Sequence, residues 1–358
     1  MTVEDLASGA AGHPLFSEGG ELDSPLVVVR VDPAAEEAVL AAAAAKARAG
    51  SRLLVGIMPG RRTGVPSPGL QELLQSLDAT IGPAGVPAMR DAAAVPRAVV
   101  PAVDPEDALQ SLCAGVRANP QAAMILGQTL RASETLSVPA ALDVESLAYS
   151  TLLGGPEFRR WLENRGPQKP PQPAAHDAVL IRREGDRLAL TLNRPERRNA
   201  YGADVRDALV AALEVAVADP SVHHVLLDGN GPSFCAGGDL AEFGTTPDPA
   251  TAHLIRTRGG AGRLMHLLAG RTEVRLHGHC VGAGIEIPAL AGRVIADPGT
   301  LFRLPEVGMG LIPAAGGATS LPRRIGRWRT FYLCATGMTL DAPTALLWGL
   351  IDGIESRP

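Results

Sequence analysis

Two isolated glutamates in the last quarter of the chain are the residues best suited to do chemistry. Glu286 lies in HGHCVGAGIEIPAL (277–290) and Glu306 in FRLPEVGMGLIPAAGG (302–317). Both have apolar neighbours, and glycines nearby let a backbone approach a ligand closely. Carboxyl groups in such surroundings have perturbed acidities and serve as general acids and bases. The pair therefore predicts acid/base chemistry on a bound ligand.

Two glycine-rich turns, CAGGDL (235–240) and CVGAGIE (280–286), each stand where a helix is expected to begin. The free backbone N–H groups and the positive dipole end of two such helices would point at one spot. Together the turns predict an oxyanion hole. Either turn alone could equally be a tight packing position. The oxyanion hole is favoured because both turns occur in sequence next to the two isolated glutamates.

The elements that must position these residues follow a layered pattern. AVLIRRE (178–184) and RLALTLNRP (187–195) flank Gly185-Asp186 and predict a β-hairpin. An amphipathic helix is predicted over 203–217 and a strand over 223–229. The alternation of strand, glycine turn and helix indicates an α/β or α+β domain.

Upstream, LVVVRV (26–31), the Ala-rich stretch 34–49 and LLVGIMP (53–59) predict a small βαβ-like unit with a parallel sheet. GRRTGVPSPG (60–69) has the composition of an exposed loop. From Pro105 the pattern is helical, and further helices are predicted to about position 163.

Proline clusters indicate the domain boundaries. The stretch RGPQKPPQPAAH (165–176) has no apolar periodicity and predicts a semi-rigid linker. We therefore expect an N-terminal extension over 1–95, a helical module over 96–170 and a catalytic core over 171–358.

Composition excludes several function classes. A net charge of −5 without a basic run argues against nucleic acid as a partner. The four cysteines are scattered, which indicates neither a zinc site nor a disulfide framework. No apolar run reaches the roughly 20 residues of a membrane span, and the acidic start is unlike a signal peptide, so a cytoplasmic protein is expected. Only two lysines against many arginines suggests a high-GC bacterial genome.

The region 178–353 resembles the crotonase (enoyl-CoA hydratase/isomerase) superfamily. Six motifs carry the resemblance in the family's order: LNRPERRNAY (192–201), SFCAGGDLAEF (233–243), HGHCVGAGIEI (277–287), LPEVGMGLIPAAGG (304–317), LPRRIGR (321–327) and ALLWGLID (345–352).

The resemblance implies syn addition of water across the C2=C3 bond of a trans-2-enoyl-CoA, with acyl-CoA as the substrate and no metal or other cofactor. It assigns Glu286 to holding and activating the water, Glu306 to protonating C2, and the backbone N–H groups of Gly238 and Ala283 to the oxyanion hole. The positions that match the family's contacts to coenzyme A and substrate are Arg198, Ala200, Ala236, Gly237, Asp239, Leu240 and Gly282.

For the fold, the resemblance implies a spiral of ββα repeats assembled as a homotrimer or a dimer of trimers. Family members continue past the GLID element with helices that cover the acyl site. Residues 99–167 resemble those helices, so the tail is expected to have moved N-terminal to the core and to pack near the mouth of the acyl pocket. Ala283, Arg303 and Pro288 depart from the family's usual residues.

Three functions remain open at this point. The leading one is an enoyl-CoA hydratase. A Δ3,Δ2-enoyl-CoA isomerase, or another acyl-CoA lyase or hydrolase, could use the same oxyanion hole, since fold does not fix reaction. From a different class, the chain could be a non-catalytic acyl-CoA-binding paralogue or scaffold subunit. A cofactor-free oxygenase fits less well, because the resemblance implies no intact glutamate pair there.

Overall fold

The computed structural model describes residues 1–58, 60, 66–84, 97–168 and 176–357, and these form an α/β protein. Within these ranges the strands form three sheets. The strands are β1 Leu26–Arg30, β2 Leu53–Ile57, β3 Ala79–Pro83, β4 Val99–Ala102, β5 Val179–Glu184, β6 Arg187–Leu192, β7 His224–Gly229, β8 Thr272–Leu276, β9 His279–Val281, β10 Arg293–Ala296, β11 Leu301–Arg303, β12 Thr339–Asp341 and β13 Gly353–Ile354.

The α-helices of the same ranges lie before or between these strands, singly or in runs of up to four. They are α1 Val3–Ala7, α2 Glu37–Ala49, α3 Pro68–Ser76, α4 Pro105–Ala118, α5 Pro120–Ser133, α6 Val138–Leu153, α7 Pro156–Arg165, α8 Ala203–Ala218, α9 Pro249–Gly259, α10 Gly262–Leu267, α11 Ala283–Glu286, α12 Gly317–Ile325, α13 Arg327–Thr336 and α14 Ala342–Trp348. Among the described residues, no helix combines the length and apolar character needed to cross a membrane.

The N-terminal sheet is larger than the sequence suggested. The expected strand, helix and strand are β1, α2 and β2, and β1 pairs with β2 in parallel. Two further parallel strands, β3 and β4, extend the sheet in the order β1-β2-β3-β4. The loop expected over 60–69 is wrong at its end, because Ser67 caps α3 and the helix begins at Pro68. Residues 61–65 lie outside the described residues.

Strand β2 is buried on both faces, as is typical of a parallel sheet covered on both sides. Leu53, Val55 and Ile57 belong to the main hydrophobic core, which extends through to Ile351. Leu54 belongs to a second cluster, formed with α1, α2 and α3. The N-terminal sheet therefore shares its core with the rest of the chain. The expected domain boundaries stay predictions.

Helices α4 to α7 pack against the downstream part of the chain. Asp104 caps α4, as expected, by accepting from the N–H groups of Glu106 and Asp107. Gly115 on α4 meets the Ala335 carbonyl of α13 so closely that a Cβ would overlap it. Helix α6 packs against α9 and α12. The expected linker, 165–176, follows the end of α7, but positions 169–175 lie outside the described residues.

A six-stranded sheet, in the order β13-β10-β8-β7-β6-β5, forms the centre of the downstream part. The predicted hairpin is confirmed, since β5 and β6 are antiparallel and joined at Gly185 and Asp186. The other neighbours in this sheet are parallel. The predicted helix over 203–217 is α8, which turns Leu209, Ala212 and Leu213 toward the core.

A small third sheet positions the chemistry. Strand β9 pairs in parallel with β11, and β11 pairs antiparallel with β12. Gly282 follows β9 and donates its N–H to the carbonyl of Arg303, the last residue of β11, at 3.0 Å. Since Glu306 comes three residues after β11, this pairing brings the two glycine-rich segments together.

A buried ionic cluster joins the N-terminal sheet to the helices. Asp78 accepts from the backbone N–H of Leu54 at 2.9 Å and pairs with Arg131 of α5. Arg327 of α13 lies 3.6 Å from the same carboxylate and 3.0 Å from Glu134. Asp78 and Arg327 are both buried.

Candidate active site

Glu286 is fixed by the N-terminus of a neighbouring helix. It ends α11, which is one turn long because Pro288 has no N–H with which to continue an α-helix. Its Oε2 accepts from the N–H groups of Ala315 at 2.7 Å and Gly317 at 3.0 Å, at the start of α12. Donors and dipole at this helix end both favour a carboxylate. Glu286 is 2% exposed.

Glu306 faces Glu286 across a space that only glycine leaves open. Gly282 has φ +49°, and a Cβ built there would lie 2.5 Å from Oε1 of Glu306 and 3.5 Å from Oε1 of Glu286. The second oxygen of Glu306, Oε2, is buried and makes no hydrogen bond with any described residue. The two carboxyl groups that the sequence picked out are thus brought together by structure.

Sequence reasoning missed a third buried carboxyl group. Glu145 of α6 is 1% exposed, and its Oε1 accepts from the N–H of Gly316 at 2.7 Å. Three successive N–H groups at the start of α12 thereby hold two carboxyl groups: those of Ala315 and Gly317 bind Glu286, and that of Gly316 binds Glu145. The helical stretch 138–153 also contains Asp143, Ser146 and Ser150, so nothing in its own helix singles Glu145 out as buried.

The surroundings separate the acidities of these groups. Burial raises the pKa of Glu286 to about 7, and the N–H groups of Ala315 and Gly317 limit the rise. Burial, followed by the charge of Glu286, raises the pKa of Glu306 well above its usual range. Burial, again followed by Glu286, raises the pKa of Glu145 to about 8. Near neutral pH, Glu286 is the group that ionises while Glu306 keeps its proton.

The N–H groups of Gly238 and Ala283 make no hydrogen bond with any described residue, and both residues line the cavity that contains the glutamates. Ala283 is not among the residues with positive φ, so alanine is compatible with this position. The expected helix dipoles are largely missing, however. A 3₁₀ turn, Leu240–Glu242, follows Gly238, and α11 is a single turn. The arrangement therefore depends on the two N–H groups themselves.

The two segments expected to contact coenzyme A are joined by backbone hydrogen bonds. Ala236 donates its N–H to the carbonyl of Arg198 at 2.9 Å, and Tyr201 donates to Gly237 at 2.7 Å. Arg198 is left-handed, with φ +53°, and ends a 3₁₀ turn. Ala200 lies between the two bonded residues.

Buried side chains fix the same two segments. Asn199, missed from the sequence, is fully buried and donates to the carbonyls of Asn230, Ser233 and Phe234. The carboxylate of Asp239 pairs with Arg197 at 2.6 Å and caps the following turn, so it is already engaged within the protein. Leu240 is 48% exposed.

The cavity has a volume of about 260 Å³, and its walls come from two parts of the chain. The downstream part contributes both glutamates, both free N–H groups and α9. The upstream part contributes Leu142, Glu145, Ser146, Tyr149 and Leu153 of α6 and Phe158 of α7. Burial, the largest cause, raises the pKa of Tyr149, so its hydroxyl is a neutral donor at physiological pH. A segment far upstream in the sequence thus completes the site.

Other candidate residues have structural surroundings. His277 is buried and its Nε2 bonds the Gly231 carbonyl at 3.0 Å. Burial raises the pKa of the Cys235 thiol to about 12 and that of Cys280 well above its usual range, so neither is a nucleophile at neutral pH. Arg303 is exposed and donates to the Gly337 carbonyl. No cluster of metal-ligating side chains occurs within the described ranges.

Residues 184–357 match the profile of the Enoyl-CoA hydratase/isomerase family. A probable enoyl-CoA hydratase of Mycobacterium tuberculosis is 34% identical over 186 residues, which are 52% of this chain and 72% of that protein. The chain belongs to the enoyl-CoA hydratase/isomerase family. The 2,3-dehydroadipyl-CoA hydratase of Escherichia coli is also similar to this chain. It is 32% identical over 49% of this chain and 68% of its own length.

Among solved structures, a putative enoyl-CoA hydratase/isomerase from Mycobacterium abscessus is 33% identical, with a TM-score of 0.46 over 50% of this chain and 71% of that one. The family profile begins at residue 184, so helices α4 to α7 lie outside the matched part.

Proposed function

We propose that this protein is an enoyl-CoA hydratase that adds water in the syn sense across the C2=C3 bond of a trans-2-enoyl-CoA thioester. The observation that supports this most directly is the facing pair Glu286 and Glu306, in one cavity with the unbonded N–H groups of Gly238 and Ala283. Family membership supports an enzyme of this class.

The two N–H groups act on the thioester oxygen. When water attacks C3, negative charge moves through C2 onto that oxygen. Donors that already point there stabilise the charge without reorganising, and the loss of one such donor typically lowers the rate about 10²–10³-fold. Because both donors belong to the backbone, side-chain substitutions leave them in place unless they alter φ.

The carboxyl groups divide the proton transfers. Glu286, whose charged form receives two N–H donors, takes a proton from the attacking water as its oxygen bonds to C3. Glu306, whose pKa is raised further, gives its proton to C2. A proton passing from Glu286 to Glu306 then restores the starting state. In general acid/base pairs of carboxyl groups, the surroundings usually set the two pKa values apart in this way.

Coenzyme A is proposed to lie along the segments that include Arg198, Ala200 and 236–240, beside the cavity. Helices α4 to α7 are proposed to take the place of the C-terminal helices that they resemble. We also propose a homotrimer or a dimer of trimers, which light scattering on the purified protein would test.

Product analysis tests the proposal. Purified full-length protein is incubated with matched trans-2-enoyl-CoA and 3-enoyl-CoA substrates, with the conjugated thioester absorbance followed over time. A 3-hydroxyacyl-CoA product from the 2-enoyl substrate supports hydration. Interconversion of the two substrates without a hydroxylated product would instead indicate an isomerase, and tight binding without turnover would indicate the non-catalytic alternative.

A further inference from the structure

Arg256 of α9 is a cation without a carboxylate partner in the wall of the cavity. The other two arginines of the described lining are paired, Arg206 with Asp207 and Arg263 with Asp143. Among the described residues, no carboxylate lies within ion-pair distance of Arg256. Burial lowers its pKa, as expected for a charge withdrawn from water.

Neutral groups hold this guanidinium in one orientation. Nε donates to the Ser146 hydroxyl at 3.1 Å, and Nη2 donates to the Ser146 carbonyl at 3.2 Å and to the Ser150 hydroxyl. Its Cζ lies 4.5 Å from the centre of the Tyr149 ring. The third nitrogen, Nη1, has no hydrogen-bond partner within the described ranges. The guanidinium group is therefore held through Nε and Nη2, while Nη1 remains free to donate.

Arg256 makes no ion pair with the reacting carboxyl groups. Tyr149 lies between the two kinds of charge, since Arg256, Glu306 and Glu286 all act on its pKa. The carboxyl group that acts on the pKa of Arg256 is Glu145, which is held by Gly316 and keeps its proton near neutral pH. The cation thus lines the cavity without pairing with either reacting carboxyl group, so it is available to a bound ligand.

We propose that Arg256 selects acyl-CoA substrates whose acyl chain ends in a carboxylate. This proposal rests on the proposed function, since it assumes that an acyl-CoA occupies the cavity. The open Nη1 donates to the distal carboxylate, and the Tyr149 ring and the hydroxyls of α6 hold the guanidinium ready for it. A plain alkyl chain would leave the partly buried charge without a counter-charge and remove water from it, which disfavours its binding.

The test compares hexanoyl-CoA with adipoyl-CoA, and the next shorter and longer pairs, by calorimetric titration of the full-length protein. These saturated thioesters bind without reacting. A charge-assisted hydrogen bond predicts about tenfold or greater preference for the carboxylate-bearing member of at least one pair. Equal affinity within every pair would overturn the proposal without any variant.

Variants of Arg256 distinguish recognition of the substrate carboxylate from a purely structural role in which Arg256 holds α9 against α6. Arg256→Gln is expected to lose the preference while keeping its affinity for hexanoyl-CoA, and Arg256→Lys to keep part of it. Arg263→Gln, at a paired arginine of the same wall, is the matched control and should change neither affinity. If Arg256→Gln and Arg256→Lys both lower the affinity for hexanoyl-CoA and adipoyl-CoA equally, Arg256 only stabilises the packing of α9 on α6.

The same comparison with trans-2-enoyl forms keeps the two proposals distinct. Carboxylate preference in binding without hydration of either substrate would refute the hydratase and leave the specificity standing. Hydration of both substrates at equal kcat/KM, with equal affinities, would refute the specificity and leave the hydratase standing.

Discussion

Alanine at position 282 is expected to damage catalysis far more than folding. A Cβ there would lie 2.5 Å from Oε1 of Glu306, and Cβ atoms do not come within 3.0 Å of other atoms, so the carboxyl group must retreat by at least about 0.5 Å. Position 282 also has φ +49° with ψ −121°, a combination that a residue with a side chain rarely adopts and that adds backbone strain.

The magnitudes follow from these two effects. Functional groups have to be held within about 0.5 Å of productive geometry, and a displacement near 1 Å can lower a rate about 10²-fold. Gly282→Ala should therefore lower kcat for hydration roughly 10- to 10²-fold. The free energy of unfolding should fall by about 1–3 kcal/mol, since strain and the contact add. KM should change less than kcat, because the other positions proposed to contact coenzyme A, Arg198, Ala200 and 236–240, are not altered.

The assay combines steady-state hydration of a trans-2-enoyl-CoA with urea unfolding. Gly308→Ala is the matched control, since this glycine lies two residues after Glu306, has no atom within 4 Å of an added Cβ and is not among the positive-φ glycines. It should retain wild-type activity. A Gly282→Ala enzyme with unchanged kcat but reduced stability would refute the idea that the two carboxyl groups act across position 282.

Three further predictions concern the donors, the third carboxyl group and the ionic cluster. Gly238→Pro removes an N–H, so it should abolish hydration at any substrate concentration, and recovery of full velocity at saturation would limit that N–H to binding. Glu145 binds its proton more tightly in the folded protein than in the unfolded chain. Its contribution to the free energy of unfolding is therefore lost as pH rises toward 8. Urea unfolding from pH 5 to 8 should show wild type losing up to about 3.5 kcal/mol relative to Glu145→Gln, at about 1.4 kcal/mol per pKa unit, and parallel curves would contradict this. Asp78→Ala leaves buried Arg327 with Glu134 alone and takes the carboxylate from Arg131 and the Leu54 N–H, so unfolding should become easier by up to about 3–5 kcal/mol, and an unchanged midpoint would show that Asp78 contributes nothing.

Local signals account for what the sequence predicted well. The hairpin around Gly185, helix α8 and the helix start at Pro105 each depend on neighbours within a few residues, such as turn glycines, apolar periodicity and an Asp cap. Glu286 and Glu306 could be chosen for the same reason, because each stands alone in an apolar, glycine-rich stretch.

What the sequence did not predict depends on distant partners. Glu145 accepts from Gly316, 171 positions away, and in its own helix it looks like an ordinary surface charge. Asn199 is left-handed, with φ +52°, and holds carbonyls more than thirty residues away. Strand β4, VVPA, is four residues long and contains a proline, so it has too little pattern to be read as part of a parallel sheet.

Replacement of Glu306 by glutamine tests the central claim most directly. Glutamine keeps the size of the side chain but has no carboxyl proton to give to C2. We predict that Glu306→Gln binds a saturated acyl-CoA with wild-type affinity and hydrates the matching trans-2-enoyl-CoA at least about 10²-fold more slowly. Turnover near the wild-type rate in this variant would contradict the account.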